Sequence, residues 1–318
     1  MTTQISPSPR RTAAGVLPNL VIAGVVKGGT TSVFTYLSQH PDICASSKKE
    51  TCYFLPLRYG NPLAPVDQYL ANFSRYREQP YVMEATPGYF EGGSKLAQTM
   101  RETLGSKTRV IVILREPIER LFSFYNYQKA MLNLAQNMTF DRYIEACQNM
   151  PDTEVCKQVN DPYWGIKGGF YTEYIDSWFD VYEDSLKVFF FDQLKSDPAA
   201  LLQQIYAWLK VEPILPDSLR VENKTVNYKN AWLHKAALSV NMRAERVLRA
   251  FPDLKDATRR LYFALNGRPF EERMTEATRA HLRSVYEPYN RRLAVQLTHR
   301  GYRDLPDWLS SAPTGRLS

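Results

Sequence analysis

Apolar runs of strand length alternate along the chain with amphipathic stretches of helix length. Leu20–Val26 is continuously apolar and predicts a buried strand, and Thr30–Gln39 follows as a helix. Tyr81–Glu84 predicts a short strand and Gly93–Thr103 a helix. Arg109–Leu114 (RVIVIL) is the clearest strand, followed after Pro117 by a helix over Ile118–Met131. Gly169–Val181 predicts a helix, Lys187–Phe191 (KVFFF) a strand and Pro198–Leu209 a helix. Strands that are apolar throughout, separated by helices, imply a parallel sheet covered on both faces. From Ala231 onward the pattern is wholly helical, including Ala231–Phe251 and Thr275–Leu297. With no internal repeat and no Ser/Gly linker, the expectation is one α/β domain over residues 18–310 with a helical C-terminal part. Residues 1–17 and 311–318 are expected to be flexible tails.

Composition narrows the function classes. Of the 318 residues, 44% are hydrophobic and 23% charged, which excludes a disordered chain. The net charge of +7 favours an anionic ligand, yet no basic block stands out. The best candidate for a basic stripe, Arg243–Arg260, mixes its cations with Asp and Glu and reads as a solvated helix face, so no nucleic-acid partner is expected. Leu20–Val26 is too short to span a bilayer. Arg10-Arg11 ahead of it raises a twin-arginine export signal, but Pro18 and Asn19 split the apolar stretch and no small-residue cleavage site follows. The expectation is a cytoplasmic protein with no integral membrane segment. Cys44, Cys52, Cys147 and Cys156 form no C-x-x-C pair, and the four histidines are scattered, so no metal site is expected. Cys147 and Cys156 are expected to be free thiols.

The candidate chemistry begins after the first strand, in Gly24-Val25-Val26-Lys27-Gly28-Gly29-Thr30-Thr31. A strand–loop–helix junction aims backbone N–H groups and the helix N-terminus at an anion. The spacing Gly24 to Gly29 matches G-x-x-x-x-G of a nucleoside-triphosphate loop, but Thr30 stands where that loop has lysine. The cation sits three residues earlier, at Lys27. This arrangement suits a single 5′-phosphate-bearing group better than a triphosphate. Taken alone, the glycines are also compatible with a turn that binds nothing.

A second segment adds weight. The strand Arg109–Leu114 ends in Arg115-Glu116-Pro117, and Ser123 lies about two turns into the next helix. A magnesium-dependent nucleotide enzyme commonly has Asp at such a strand end. Arginine instead suits bidentate contact with a phosphate. Lys27 to Thr31 on one strand end and Arg115 with Ser123 on another imply a nucleotide phosphorylated at two separate places. The alternative for Arg115 is a helix-capping or ion-paired surface residue. Val188-Phe189-Phe190-Phe191-Asp192 resembles a magnesium strand, but an Asp after an apolar strand is common, and Asp192 is read as structural.

At these residues the chain resembles the sulfotransferases that use 3′-phosphoadenosine 5′-phosphosulfate (PAPS), and among them the heparan sulfate sulfotransferases and their bacterial relatives. The resembling stretches are VIAGVVKGGTTSVFTYLSQHPDI, KKETCYF, EATPGYF and RVIVILREPIERLFSFY, with weaker similarity continuing to about Trp308. The resemblance implies a P-loop-like α/β fold and PAPS as co-substrate. It implies that Lys27, Gly28, Gly29, Thr30 and Thr31 hold the 5′-phosphosulfate and that Arg115 and Ser123 hold the 3′-phosphate. It implies that Glu50 is the general base, with Lys27 assisting at the leaving phosphate oxygen, and that the acceptor is a hydroxyl, or else an amine, on a carbohydrate. Glu84 is the next candidate base. Without the resemblance, Glu50 reads as a solvated member of the charged run with Lys48 and Lys49.

The resemblance breaks at four places, two of them beside the acceptor and one, the Lys-Gly loop, at the cofactor site. Cys52 stands where the heparan branch usually has His, and Ala85 where it has Lys. The Lys-Gly loop of that branch is replaced without a clear register by Asn223–Lys229, and its disulfide-closed loop is missing. Two rivals remain at this point: a nucleotide-dependent kinase, favoured by the G-x-x-x-x-G spacing and Asp192, and a non-enzymatic anion-binding module.

Overall fold

The computed structural model describes residues 8–216 and 272–310, with 218–219, 227–228, 230, 236–237, 262 and 266–268 between them. The strands are β1 (Arg11–Thr12), β2 (Gly15–Val16), β3 (Leu20–Gly24), β4 (Ile43–Ala45), β5 (Tyr81–Ala85), β6 (Arg109–Leu114) and β7 (Leu186–Phe190). The helices include α1 (Thr30–Leu37), α2 (Val66–Leu70), α3 (Gly93–Leu104), α4 (Pro117–Ala130), α5 (Phe140–Asn149), α6 (Asp152–Val155), α7 (Ile175–Tyr182), α8 (Phe191–Ser196), α9 (Pro198–Leu209) and α10 (Glu276–His299).

Five strands form one parallel sheet in the order β4-β5-β3-β6-β7. Successive side chains point to opposite faces, so each strand feeds two cores. Val21, Ala23, Val110, Val112, Leu114, Val188 and Phe190 pack with Leu96 of α3, Trp178 of α7 and Leu293 of α10. Leu20, Ile22, Ile111, Ile113 and Phe189 pack with Val33 of α1 and Leu202 of α9. Burial on both faces is why these strands lack polar alternation.

The chain leaves β3 toward β5 and β4, then returns to the other side for β6 and β7. The C-terminal ends of β3 and β6 therefore flank the switch point, where open α/β sheets bind ligands. The loop from Gly24 and the turn at Arg115 both open there.

Several expectations need correction. The stretch expected as an N-terminal tail is ordered over residues 11–17. β1 and β2 pair antiparallel, and Val16 and Leu17 are buried against the core. Residues 1–7 and the tail 311–318 lie outside the described residues. The helix expected over Gly169–Val181 starts only at Ile175, after single turns at Lys167–Gly169 and Tyr171–Glu173. Gly168 and Gly169 disfavour helix, and a side chain at Gly169 would meet the Tyr286 ring at 2.7 Å. Strand β4 and helix α5 were not apparent in the pattern. Three residues give too short an apolar run, whereas α5 is fixed by Thr139, whose hydroxyl accepts from the Arg142 N–H. The helix expected over Ala231–Phe251 lies almost wholly outside the described residues, as do Arg243–Arg260 and most of Asn223–Lys229.

Candidate active site

A cleft of about 710 Å³ opens at the switch point, within the range of small-molecule sites. It brings together Lys27, Gly29, Thr30, Thr31, Glu50, Arg115 and Ser123. Gly28 lies beneath them, and its role is steric. A Cβ there would meet the Ile113 carbonyl oxygen at 2.4 Å. Gly29 has φ +89°, and a Cβ on it would meet Leu194 at 2.5 Å. The two glycines let the loop lie flat on the sheet end before α1 begins. Gly29 caps α1 with backbone alone, and no acidic residue occupies the first turn. No side chain caps this terminus, so its partial positive charge faces an external acceptor.

Two cations converge on this terminus. The Arg115 guanidinium donates to the Lys27 carbonyl oxygen at 3.1 Å and lies over the Phe191 ring at 4.5 Å. The Lys27 ammonium lies 4.9 Å from the Tyr127 ring centre. Burial, reinforced by the nearby Arg115 charge, pulls Lys27 down to about 8, against the pull of Glu50. Burial also lowers Arg115. Holding two like charges together in a half-buried site is unfavourable unless an anion compensates. The helix cap that sequence allowed for Arg115 belongs to its neighbour: the Glu116 carboxylate accepts from the Glu119 N–H at 2.7 Å. Ser123 lies two turns along α4 on the same cleft.

Glu50 is placed by backbone. Its N–H donates to the Ala85 carbonyl at the end of β5, 2.8 Å away, although the residue sits at φ +63°. Its carboxylate pairs with Lys49 at 2.7 Å and is half exposed. The ion pair foreseen in the charged run is therefore present, yet Glu50 also lines the cleft. An exposed pair of this kind is weak and readily exchanged. Lys27, Glu50 and Cys52 all take positive φ without being glycine, and such backbone strain gathers at functional sites.

Glu84 is not on the cleft. It is fully buried and accepts hydrogen bonds from the hydroxyls of Thr51, Tyr69, Thr86 and Tyr89. Burial raises its pKa against these four bonds. It holds the Thr51 segment onto β5, and its service as the alternative base is ruled out by this geometry. Asp192 is also elsewhere: its carboxylate accepts from the Trp308 indole N–H at 3.3 Å, in a shallow surface pocket. That removes the kinase-like strand end from the site. Among the described residues no group of three or more His, Cys, Asp or Glu is placed to hold a metal ion, and no helix is long and apolar enough to cross a membrane. All four cysteines are free.

The far end of the cleft was missed in the sequence. Arg58 pairs with Glu91 at 3.5 Å and approaches Asp161 at 3.8 Å, with its guanidinium over the Trp164 ring at 4.5 Å. The Tyr59 hydroxyl donates to Asp161. Arg120, 1% exposed, donates to the Gly165 carbonyl. One signal was available: Arg120, Ser123 and Tyr127 recur at i, i+3 and i+7, a polar stripe along one face of α4.

A family model described as the sulfotransferase domain matches residues 17–246. Among curated proteins, the chain is 26% identical over 269 residues to mouse heparan sulfate glucosamine 3-O-sulfotransferase 3A1, covering 80% of this chain and 64% of that protein. It is 34% identical over 111 residues to the membrane-associated sulfotransferase kil1 of Dictyostelium discoideum, covering 35% of this chain and 23% of that protein. The chain thus spans less than two thirds of the length of either relative. A sulfotransferase crystal structure from Alicyclobacillus acidocaldarius superposes with a TM-score of 0.65 at 21% identity, covering 92% of this chain and 98% of the other. That likeness confirms the parallel α/β fold.

Proposed function

This chain belongs to the sulfotransferase family, and from that premise we propose that it transfers a sulfuryl group from PAPS to a hydroxyl on a carbohydrate acceptor. The observation that carries the reading is the convergence of Lys27 and Arg115, both part-buried, on the open N-terminus of α1. These residues fit a nucleotide carrying two separated phosphate groups. Lys27, the loop amides, Thr30 and Thr31 would hold the 5′ end, and Arg115 with Ser123 the 3′-phosphate. Gly28 and Gly29 pack closely against Ile113 and Leu194, which seats the loop at the sheet end, where backbone N–H groups suit a phosphate.

Glu50 takes the proton of the acceptor hydroxyl, worth about 10²–10⁴-fold for a positioned base. The acceptor oxygen bonds to sulfur as the bond from sulfur to the phosphate oxygen breaks, and that oxygen keeps the electron pair. Lys27 and the α1 N–H groups oppose the charge that develops on it. The products are a sulfate ester and 3′-phosphoadenosine 5′-phosphate (PAP).

The test is transfer of radiolabelled sulfate from PAPS to a carbohydrate mixture by the purified protein. Label in the carbohydrate with matching PAP release is expected. Failure to bind PAP in calorimetry, or phosphate transfer from ATP in its place, would overturn the reading.

A further inference from the structure

We infer that the far end of the cleft takes an uncharged, hydroxyl-rich acceptor of the glycoside or polyol class and disfavours a polyanionic chain. The inference rests on the sulfotransferase reading and adds the acceptor's chemistry to it. Four buried side-chain polar atoms of the cleft have no hydrogen-bond partner among the described residues: Arg120 Nε, Trp164 Nε1 and Asp161 Oδ1 at that end, the last 3.8 Å from the Arg58 guanidinium, and Asn126 Oδ1 one turn along α4 from Ser123. All four residues line the cleft, and Arg120 and Asn126 are 1% and 8% exposed. Buried polar groups left unpaired are costly, so a run of them along one wall marks where a ligand supplies the partners.

The set contains two N–H donors and two carbonyl or carboxylate acceptors. A hydroxyl both donates and accepts, so adjacent hydroxyls can meet all four. A sulfate or ionised carboxylate only accepts, so it offers Asn126 Oδ1 no donor and brings a second negative charge to the Asp161 carboxylate already matched by Arg58.

The charges point the same way. Arg58 is matched by Glu91 and Asp161, and the Glu119 carboxylate pairs with Arg279 at 2.8 Å. With Lys27 and Arg115 assigned to phosphates, the cations of this end are Arg58, which faces Glu91 and Asp161, and Arg120, which lies near Glu91. Among the described residues lining this end, the two arginines are matched by the two carboxylates Glu91 and Asp161, with no surplus cation to neutralise a polyanion. The rings of Tyr59 and Trp164, which flank the Arg58 guanidinium, add apolar ring surface to the cleft lining beside these polar atoms.

The test is calorimetry on the protein saturated with PAP, titrated with lactose, with trehalose and with a heparin-derived tetrasaccharide. Expected is binding of at least one neutral disaccharide, about tenfold or more tighter than the tetrasaccharide. Asn126→Leu should weaken that binding about tenfold and leave PAP affinity unchanged, whereas Asn126→Asp, which keeps the acceptor oxygen, should retain it. If Asn126→Leu fails to fold, Trp164→Phe, which removes the indole N–H, carries the same expectation. Equal or tighter binding of the tetrasaccharide, no binding of either disaccharide, or a variant indifferent to the change would overturn the inference. Loss of PAP binding by the unmodified protein would instead overturn the sulfotransferase reading, so the two failures are separable.

Discussion

The two ends of the cleft are built on different plans. The phosphate end comes from two strand ends that are neighbours in the sheet, β3 with its loop and β6 with Arg115. Its positive charges sit close together, half-buried, beside a helix terminus with no acidic residue in its first turn. The far end is gathered from segments near residues 58, 91, 120 and 161, and its charges largely cancel one another. On the proposed reading, like charges gathered at one end and opposite charges balanced at the other separate anion capture from acceptor choice. A protein on this plan can change its acceptor by altering dispersed side chains without touching the nucleotide contacts.

If the ends are separable in this way, single substitutions should split turnover from nucleotide binding. The largest effect is expected at Glu50. Glu50→Gln keeps shape and hydrogen-bonding capacity but removes the basic carboxylate, so kcat should fall by about 10²–10⁴-fold with PAP affinity nearly unchanged. The Lys49 pair is exposed and contributes little to folding, so a thermal melt should confirm an intact fold. Near-normal turnover in folded Glu50→Gln would make Glu50 a charged loop residue after all, and the comparison would lose its catalytic hinge.

A smaller effect, on binding alone, is expected at Arg115. Arg115→Ala should weaken PAP binding by about 1.5–3 kcal/mol, the worth of a hydrogen bond to a charged group. Adenosine 5′-phosphosulfate, which lacks the 3′-phosphate, should lose much less. Equal losses for both nucleotides in calorimetry would remove the 3′-phosphate from Arg115 and merge the two phosphate sites into one.

The same contrast explains what could be read from the chain. The phosphate end is local in sequence: Gly24–Thr31 is a contiguous strand, loop and helix start, and Arg115 to Ser123 is another. The β3, β6 and β7 runs were legible because burial on both faces leaves long apolar runs, with only Arg109 and Lys187 as polar members near their starts. The far end was not legible, because Arg58, Glu91, Arg120 and Asp161 meet only through tertiary folding. A lone arginine in a sequence looks solvated whether or not it is buried. Arg120 is buried because the Gly165 carbonyl and the neighbouring Glu91 charge receive it. Glu84 looked as available as Glu50, and only its four hydroxyl partners show that it is locked inside. The hairpin at residues 11–17 escaped notice because each of its strands is two residues long.

The smallest expected effect is a pH dependence confined to the phosphate end. Burial and Arg115 bring Lys27 down to about 8 in the free protein, with Glu50 pulling upward and Lys49 downward. A bound phosphate stabilises the ammonium and raises that value, so the complex holds more proton than the free protein above pH 8. PAP affinity should therefore be level from about pH 7 to about pH 8 and fall as pH rises further, by at most tenfold per unit. The nucleotide does not cause this slope, since a phosphate monoester with a second pKa of about 6 is already ionised there. Lys27→Arg keeps its charge throughout this range, so it should bind PAP with a flat profile between pH 7.5 and 9.5. Arg115→Ala should shift the break upward, because it removes the like charge that lowers Lys27. Binding of a neutral saccharide to the far end should show no break at pH 8, since Lys27 is assigned to the other end of the cleft. An unchanged slope in Lys27→Arg would assign the pH dependence to another group and leave Lys27 without its part in anion capture.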